Sequence, residues 1–231
     1  NMVCDHASAV LTPDSVKRLK SYRNDFPGTE FSFDENTSIL TVRGKSAHGS
    51  TPEAGANALG AMLKFFADFH PDCRKAYDLL FADVLGLRGI SDETGNLTMS
   101  PDVAKFENGI LTITTDIRFP ATHKKEEITG ALTRAGVNFS VVHEQAPLYN
   151  DPNGRLISTL MRVYNKATGK NEKAIAIGGG TYARALKCGC GFGPELEDEE
   201  ATIHQPNEYI TFDRIRMMSE IYYDAIRELT R

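Results

Sequence analysis

Several features are scarce in this 231-residue chain, and each scarcity narrows what it can do. No apolar run approaches the roughly 18 residues of a membrane-spanning helix, and no signal-peptide pattern opens the sequence. Positive charge is not in excess: 26 Lys and Arg stand against 31 Asp and Glu, a net charge of -5 with no basic patch. That balance argues against nucleic acid as a partner, and no membrane partner is expected either. The four cysteines, Cys4, Cys73, Cys188 and Cys190, are too few and too scattered for a disulfide scaffold. Cys188-Gly189-Cys190 is too tightly spaced for an easy mutual disulfide, and no matching Cys or His pair suggests a zinc knuckle. A reducing, cytoplasmic setting is expected. An initiator methionine is missing as well: the chain opens at Asn1 and reads as a segment from within a longer protein.

What is present is an ordinary globular composition, 41% hydrophobic and 25% charged, long enough for one large or two modest cores. Residues 7–11 read as a strand. Thr12-Pro13-Asp14 then opens a helix to about residue 24. Strands at 30–33 and 38–43 follow, joined by a polar turn. Ser50 and Glu53 stand at capping-box spacing with Pro52 between them, so a helix is expected from there to Phe69. A second helix is expected over 74–84. Residues 95–99, 103–107 and 110–118 read as a three-stranded meander with turns at Pro101-Asp102 and Asn108-Gly109, the Asn-Gly pair being the stronger hairpin signal. A helix over 124–135 stops at Gly136, and 137–143 reads as another strand. Composition shifts to Pro, Asn, Asp and Gly over 145–153, a domain boundary. Beyond it come a helix (156–167), a strand (173–177), a glycine loop, a short strand (188–192) and a final helix (212–229). The first part predicts an α+β sandwich, an antiparallel sheet with helices on one face; the second has α/β order.

Four stretches carry chemistry. His48 sits in a loop just ahead of the expected helix start, where the helix dipole favours a neutral ring that donates one hydrogen bond. Such a donor suits a developing oxyanion, although loop histidines more often just brace a turn. His204 lies in a polar loop, where an imidazole oriented by an acceptor can hold zinc. Gly178-Gly179-Gly180-Thr181 allows close backbone approach to an anion, but lacks the Lys-Ser/Thr ending of a phosphate loop. Arg118 ends a strand in which Thr112, Thr114, Asp116 and Arg118 share the polar face; a guanidinium fork there matches a carboxylate bidentately. His70-Pro71-Asp72 is read as helix punctuation and the acidic run 195–200 as a solvated loop.

Resemblance sharpens these readings. Gly44-Lys45-Ser46-Ala47-His48-Gly49-Ser50-Thr51-Pro52-Glu53 is similar to the lid-domain motif of the di-zinc metallopeptidases that include aminoacylases, G-type carboxypeptidases and dipeptidases. Asp116-Ile117-Arg118-Phe119-Pro120 and Thr202-Ile203-His204-Gln205-Pro206-Asn207-Glu208-Tyr209-Ile210 resemble later motifs of the peptidase V-like dipeptidase branch. The resemblance implies His48 as the oxyanion contact, His204 as a zinc ligand, and Asn1, Arg118, Gly179, Gly180, Thr181 and Arg184 as substrate contacts. Asn1-Met2-Val3 matches the start of the family's lid segment, with Cys4 where the family has proline. It further implies two zinc ions, a small peptide substrate, a ferredoxin-like lid over 1–146 and the C-terminal part of a catalytic domain over 147–231. The family's His-x-Asp strand, bridging aspartate and Glu-Glu pair have no counterpart in this sequence, so the chain alone is expected to be inactive. A non-catalytic peptide-binding module and an aminoacylase or carboxypeptidase remain as alternatives, and oligomeric state stays open.

Overall fold

The computed structural model describes residues 1–193 and 207–231. The chain divides into two compact units, Asn1–Glu144 and Gln145–Arg231. The described residues form small antiparallel sheets and six α-helices, a mixed α/β chain. No described helix is long and apolar enough to cross a membrane.

The first unit begins with β1 (His6–Val10), α1 (Pro13–Ser21), β2 (Glu30–Asp34) and β3 (Ile39–Arg43). Thr12 caps α1 by accepting the Ser15 amide, and Pro13 fills the first helical position, as the sequence predicts. Both neighbours of β3 run antiparallel to it, giving the order β1-β3-β2. The register sets Ala7, Val42 and Phe31 in one row and Ala9, Leu40 and Phe33 in the next. Because side chains alternate along a strand, both rows face the same side, where Leu40 and Val42 are fully buried. The polar residues Ser8, Thr41 and Ser32 take the other face. A helix α2 (Ala58–Ala67) covers the apolar side with Ala58, Ala61, Met62 and Phe65.

That helix starts later than the sequence suggests. Pro52–Ala54 makes only a short 3₁₀ turn, Gly55 returns to extended backbone, and α2 is capped by Asn57. The cause is tertiary pairing: Lys45 and Ala56 exchange backbone hydrogen bonds of 2.9 Å in both directions, which holds Gly55 and Ala56 out of the helix. The close approach needs glycine, since a Cβ on Gly44 would lie 2.0 Å from the Ala56 carbonyl oxygen. Asn57 then works twice. Its Oδ1 accepts the Gly60 amide, and its Nδ2 donates 2.8 Å to the Pro101 carbonyl, 44 residues away.

Next come α3 (Pro71–Leu80), the two-residue strands β4 (Ser91–Asp92) and β5 (Gly95–Asn96), and a long ribbon of β6 (Thr98–Glu107) and β7 (Ile110–Arg118). His70 precedes α3 and Pro71 starts it, the punctuation expected there. The expected three-stranded meander is instead this ribbon beside a separate β4–β5 pair. Asn108 and Gly109 have φ of 52° and 79°, the left-handed pair that a tight hairpin needs. Pro101-Asp102 does not turn. Proline lacks an N–H for the ladder, so the register shifts between Pro101 and Val103 and the strand continues through a bulge. Helix α4 (Lys125–Arg134) ends before Gly136 at φ 63°. Its Ile128 joins Leu87, Leu97 and Met99 in a second core.

Asp92 ties the β4–β5 hairpin to the segment after β7. Its Oδ1 accepts the Thr94 amide and hydroxyl, both at 2.6 Å, and its Oδ2 accepts the Thr122 amide at 2.9 Å and hydroxyl at 2.7 Å. Desolvation pushes this carboxyl up, but the hydrogen bonds from Thr94 and Thr122 outweigh it and hold the group well below the usual carboxylate range. A folded pKa below the unfolded value means the stabilisation is present above about pH 4 and fades as pH falls through the folded value. Thermal melts between pH 2 and 7 are expected to show a loss of Tm at the acid end that is smaller in Asp92→Ala; identical pH slopes would remove Asp92 as the cause.

Residues 137–143 form no strand. A strand exists only through a hydrogen-bonded neighbour, and Val141 and Val142 stay exposed without one among the described residues.

The second unit is helical among its described residues: α5 (Arg155–Thr168) and α6 (Phe212–Leu229) pack through Leu160, Val163, Met218, Ile221 and Ala225. Arg162 and Glu228 pair across them, and Arg155 donates to the Leu229 carbonyl. The strands expected at 173–177 and 188–192 are not formed. The first leaves Ile175 80% and Ile177 64% exposed, apolar positions of strand type with no sheet beneath them among the described residues.

Candidate functional site

His48 lies in the loop between β3 and α2, and its surroundings are built by residues distant in sequence. Residues 1–3 run antiparallel to 47–49: the Val3 amide donates to the Ala47 carbonyl at 2.8 Å, the Gly49 amide donates to the Asn1 carbonyl at 2.7 Å, and Met2 bridges His48. The same loop rests on the ribbon, where the Thr98 hydroxyl reaches the Gly49 carbonyl at 3.4 Å. Gly49 is buried, and a Cβ there would lie 2.8 Å from Asp116 Oδ2 and 3.0 Å from the Asn1 carbonyl oxygen. Only a glycine lets the loop close on both.

Asp116 and Arg118 are on β7, paired with Ser100 and Thr98 of β6. Arg118 donates to Asp116 Oδ2 through Nε at 3.2 Å and Nη2 at 2.8 Å. Alternation along β7 exposes Thr112 and Thr114, whereas Asp116 and Arg118 on the same polar face are half-buried, with side chains 21% and 24% exposed. Asp116, packed against Gly49, steadies the guanidinium. Nearby, the backbone nitrogen of Asn1 lies 2.9 Å from Asp102, whose carboxylate also accepts the Ser100 hydroxyl at 2.7 Å.

Three of the residues singled out from sequence, Asn1, His48 and Arg118, therefore meet around Gly49 in the first unit. His48 itself is exposed. Its Nδ1 lies 2.6 Å from the Ser50 hydroxyl and accepts the Ser50 amide at 3.3 Å. The helix start expected beside it is ten residues on, so Ser50 and not the helix dipole directs the ring. An outward imidazole and a tethered guanidinium can bind a carboxylate and stabilise an oxyanion. The parts that sequence reasoning passed over are Gly49, Ser50 and Asp116 as supports. Ser50 was legible only as a helix cap.

Gly179, Gly180, Thr181 and Arg184 belong to the second unit. Thr181 accepts the Ala183 amide at 3.2 Å and opens a 3₁₀ turn, Tyr182–Ala185, whose Arg184 comes back to Gly180: a Cβ on Gly180 would lie 3.8 Å from the guanidinium carbon. The loop is largely exposed, with Gly179 and Arg184 half-buried. His204 and the acidic run 195–200 lie outside the described residues. Among the described residues no group of three or more His, Cys, Asp or Glu is placed to hold a metal ion. They do not by themselves make a zinc centre.

A loop histidine and a strand-end arginine are side chains able to bind carbonyl and carboxylate groups, and comparison with known proteins gives the family of the chain. The chain belongs to the peptidase family M20/M25/M40, whose family model matches residues 19–228. Its curated relatives include proteins of Staphylococcus epidermidis (30% identical over 256 aligned positions), Staphylococcus haemolyticus (31%) and Staphylococcus aureus (31%), each named "Putative dipeptidase". The matches cover 99% of this chain and 53% of each relative. The chain thus spans about half the length of the relatives it matches.

Proposed function

We propose that the chain is the lid and C-terminal catalytic segment of a zinc-dependent dipeptidase acting in the cytoplasm. Residues 1–146 form a ferredoxin-like lid and 147–231 the last part of the catalytic domain. The observation that carries this reading is the seating of the His48 loop: Gly49 packs between Asn1 and the Asp116–Arg118 pair, so the oxyanion donor and the carboxylate grip are held by one support. Arg118 in the first unit and Gly179, Gly180, Thr181 and Arg184 in the second are each proposed as contacts to the substrate. His48 donates to the oxygen that becomes negative. His204 is the one zinc ligand this chain supplies. A catalytic zinc needs about three protein ligands, so the remaining ligands come from outside this sequence. Bound zinc would supply the activated water and polarise the scissile carbonyl.

Two assays test this. Purified and supplied with zinc, this chain is expected to show no dipeptide turnover; turnover would overturn the fragment reading. The parent enzyme carrying the catalytic half is expected to hydrolyse dipeptides and to lose that activity on chelation, with recovery on adding zinc. Tight peptide binding without turnover by the parent would instead favour a binding module.

A further inference from the structure

We propose that Ser50 is a positioning residue that holds His48 in the tautomer carrying its proton on Nε2. Two contacts at Nδ1 carry this assignment. A backbone amide can donate and never accept, so the Ser50 N–H directed at Nδ1 at 3.3 Å requires a lone pair on that nitrogen. The Ser50 hydroxyl at 2.6 Å then donates to the same nitrogen. With Nδ1 accepting twice, the proton of the neutral ring resides on Nε2, the nitrogen that Ser50 does not engage.

The direction of the Ser50 amide is itself fixed. Gly49, one residue earlier, donates to the Asn1 carbonyl at 2.7 Å and has no room for a Cβ against Asp116. One residue later, the Thr51 amide donates to the His48 carbonyl at 2.9 Å, closing the turn around the ring. A reverse tautomer would set an Nδ1–H against the Ser50 N–H, donor against donor. The consequence for catalysis rests on the reading of His48 as an oxyanion donor: an Nε2–H is what such a donor must present.

Long-range proton–nitrogen spectra of the imidazole in this chain test the tautomer without any turnover. The wild-type ring is expected to show the Nε2–H pattern. Ser50→Ala keeps the amide and loses only the hydroxyl, so it is expected to keep the Nε2–H pattern while the Nδ1 nitrogen shift moves toward that of an unbonded ring nitrogen, and Ser50→Thr to restore the wild-type shift, with the backbone amide spectrum unchanged elsewhere. In the parent enzyme, Ser50→Ala is expected to lower kcat roughly tenfold at near-constant KM, the scale of one lost hydrogen bond, and Ser50→Thr to recover most of it. A wild-type ring protonated on Nδ1, or an Nδ1 shift that Ser50→Ala leaves at its wild-type value, overturns the proposal. So does a kcat insensitive to Ser50→Ala in an enzyme that needs His48. If His48→Ala leaves kcat unchanged while Ser50 still governs the ring, the oxyanion role fails and the tautomer assignment stands.

Discussion

In the parent enzyme, His48→Ala is expected to lower kcat by about 10²-fold or more, the scale of removing one oxyanion donor from a preorganised site. The side chain is exposed, and among the described residues it bonds only to Ser50, so the change removes an imidazole without opening the core. Thermal stability should therefore stay close to wild type. An effect confined to kcat separates transition-state stabilisation from substrate grip, since loss of uniform binding would raise KM and leave kcat alone. Steady-state kinetics on a dipeptide, with a melt as control, decide the point. An unchanged kcat removes His48 from the mechanism, and a matched fall in Tm would assign the loss to folding.

The largest stability effect is expected at Phe65. Its side chain is 1% exposed and lies at the centre of an aromatic cluster, with ring centroids 5.1 Å from Tyr22, 5.0 Å from Phe66, 5.4 Å from Phe69 and 6.3 Å from Phe31. Phe65 comes from α2, Tyr22 follows α1 and Phe31 is on β2, so one side chain joins helix to helix and helix to sheet. Truncation removes its transfer energy and leaves a cavity that three separate elements cannot all close on. Phe65→Ala is expected to destabilise the first unit by about 3–5 kcal/mol. Denaturant unfolding followed by hydrogen exchange of the α2 amides measures this, and a loss below roughly 1 kcal/mol would mean the cluster repacks. Two units need not unfold together, so the transition is assigned to the first by a probe within it.

Local signals served well where the chain talks to its near neighbours. Thr12 and Pro13 announce α1, Asn108-Gly109 announces the β6–β7 hairpin, and the three- and four-residue steps of Ala58, Met62 and Phe65 announce the buried face of α2. They failed where a distant partner decides. Ser50, Pro52 and Glu53 have the spacing of a helix start, yet the Lys45–Ala56 pairing moves the start to Ala58. Pro101-Asp102 has turn composition, yet β7 supplies a strand on which a bulge forms instead. Residues 173–177 have strand composition and no described neighbour to pair with.

The sequence by itself determined the family: the resemblance read around His48, Arg118 and His204 agrees with the family model that matches residues 19–228. It also determined which residues to suspect, because imidazole, guanidinium and glycine each have chemistry that few substitutes share. Only the tertiary structure decided that Asn1, His48 and Arg118 meet around Gly49, and that Ser50 serves the imidazole and not a helix end. The reason is physical. Periodicity and caps report interactions within a few residues, whereas the His48 site is closed by backbone and side-chain contacts spanning residues 1 to 118, whose partners no local pattern names.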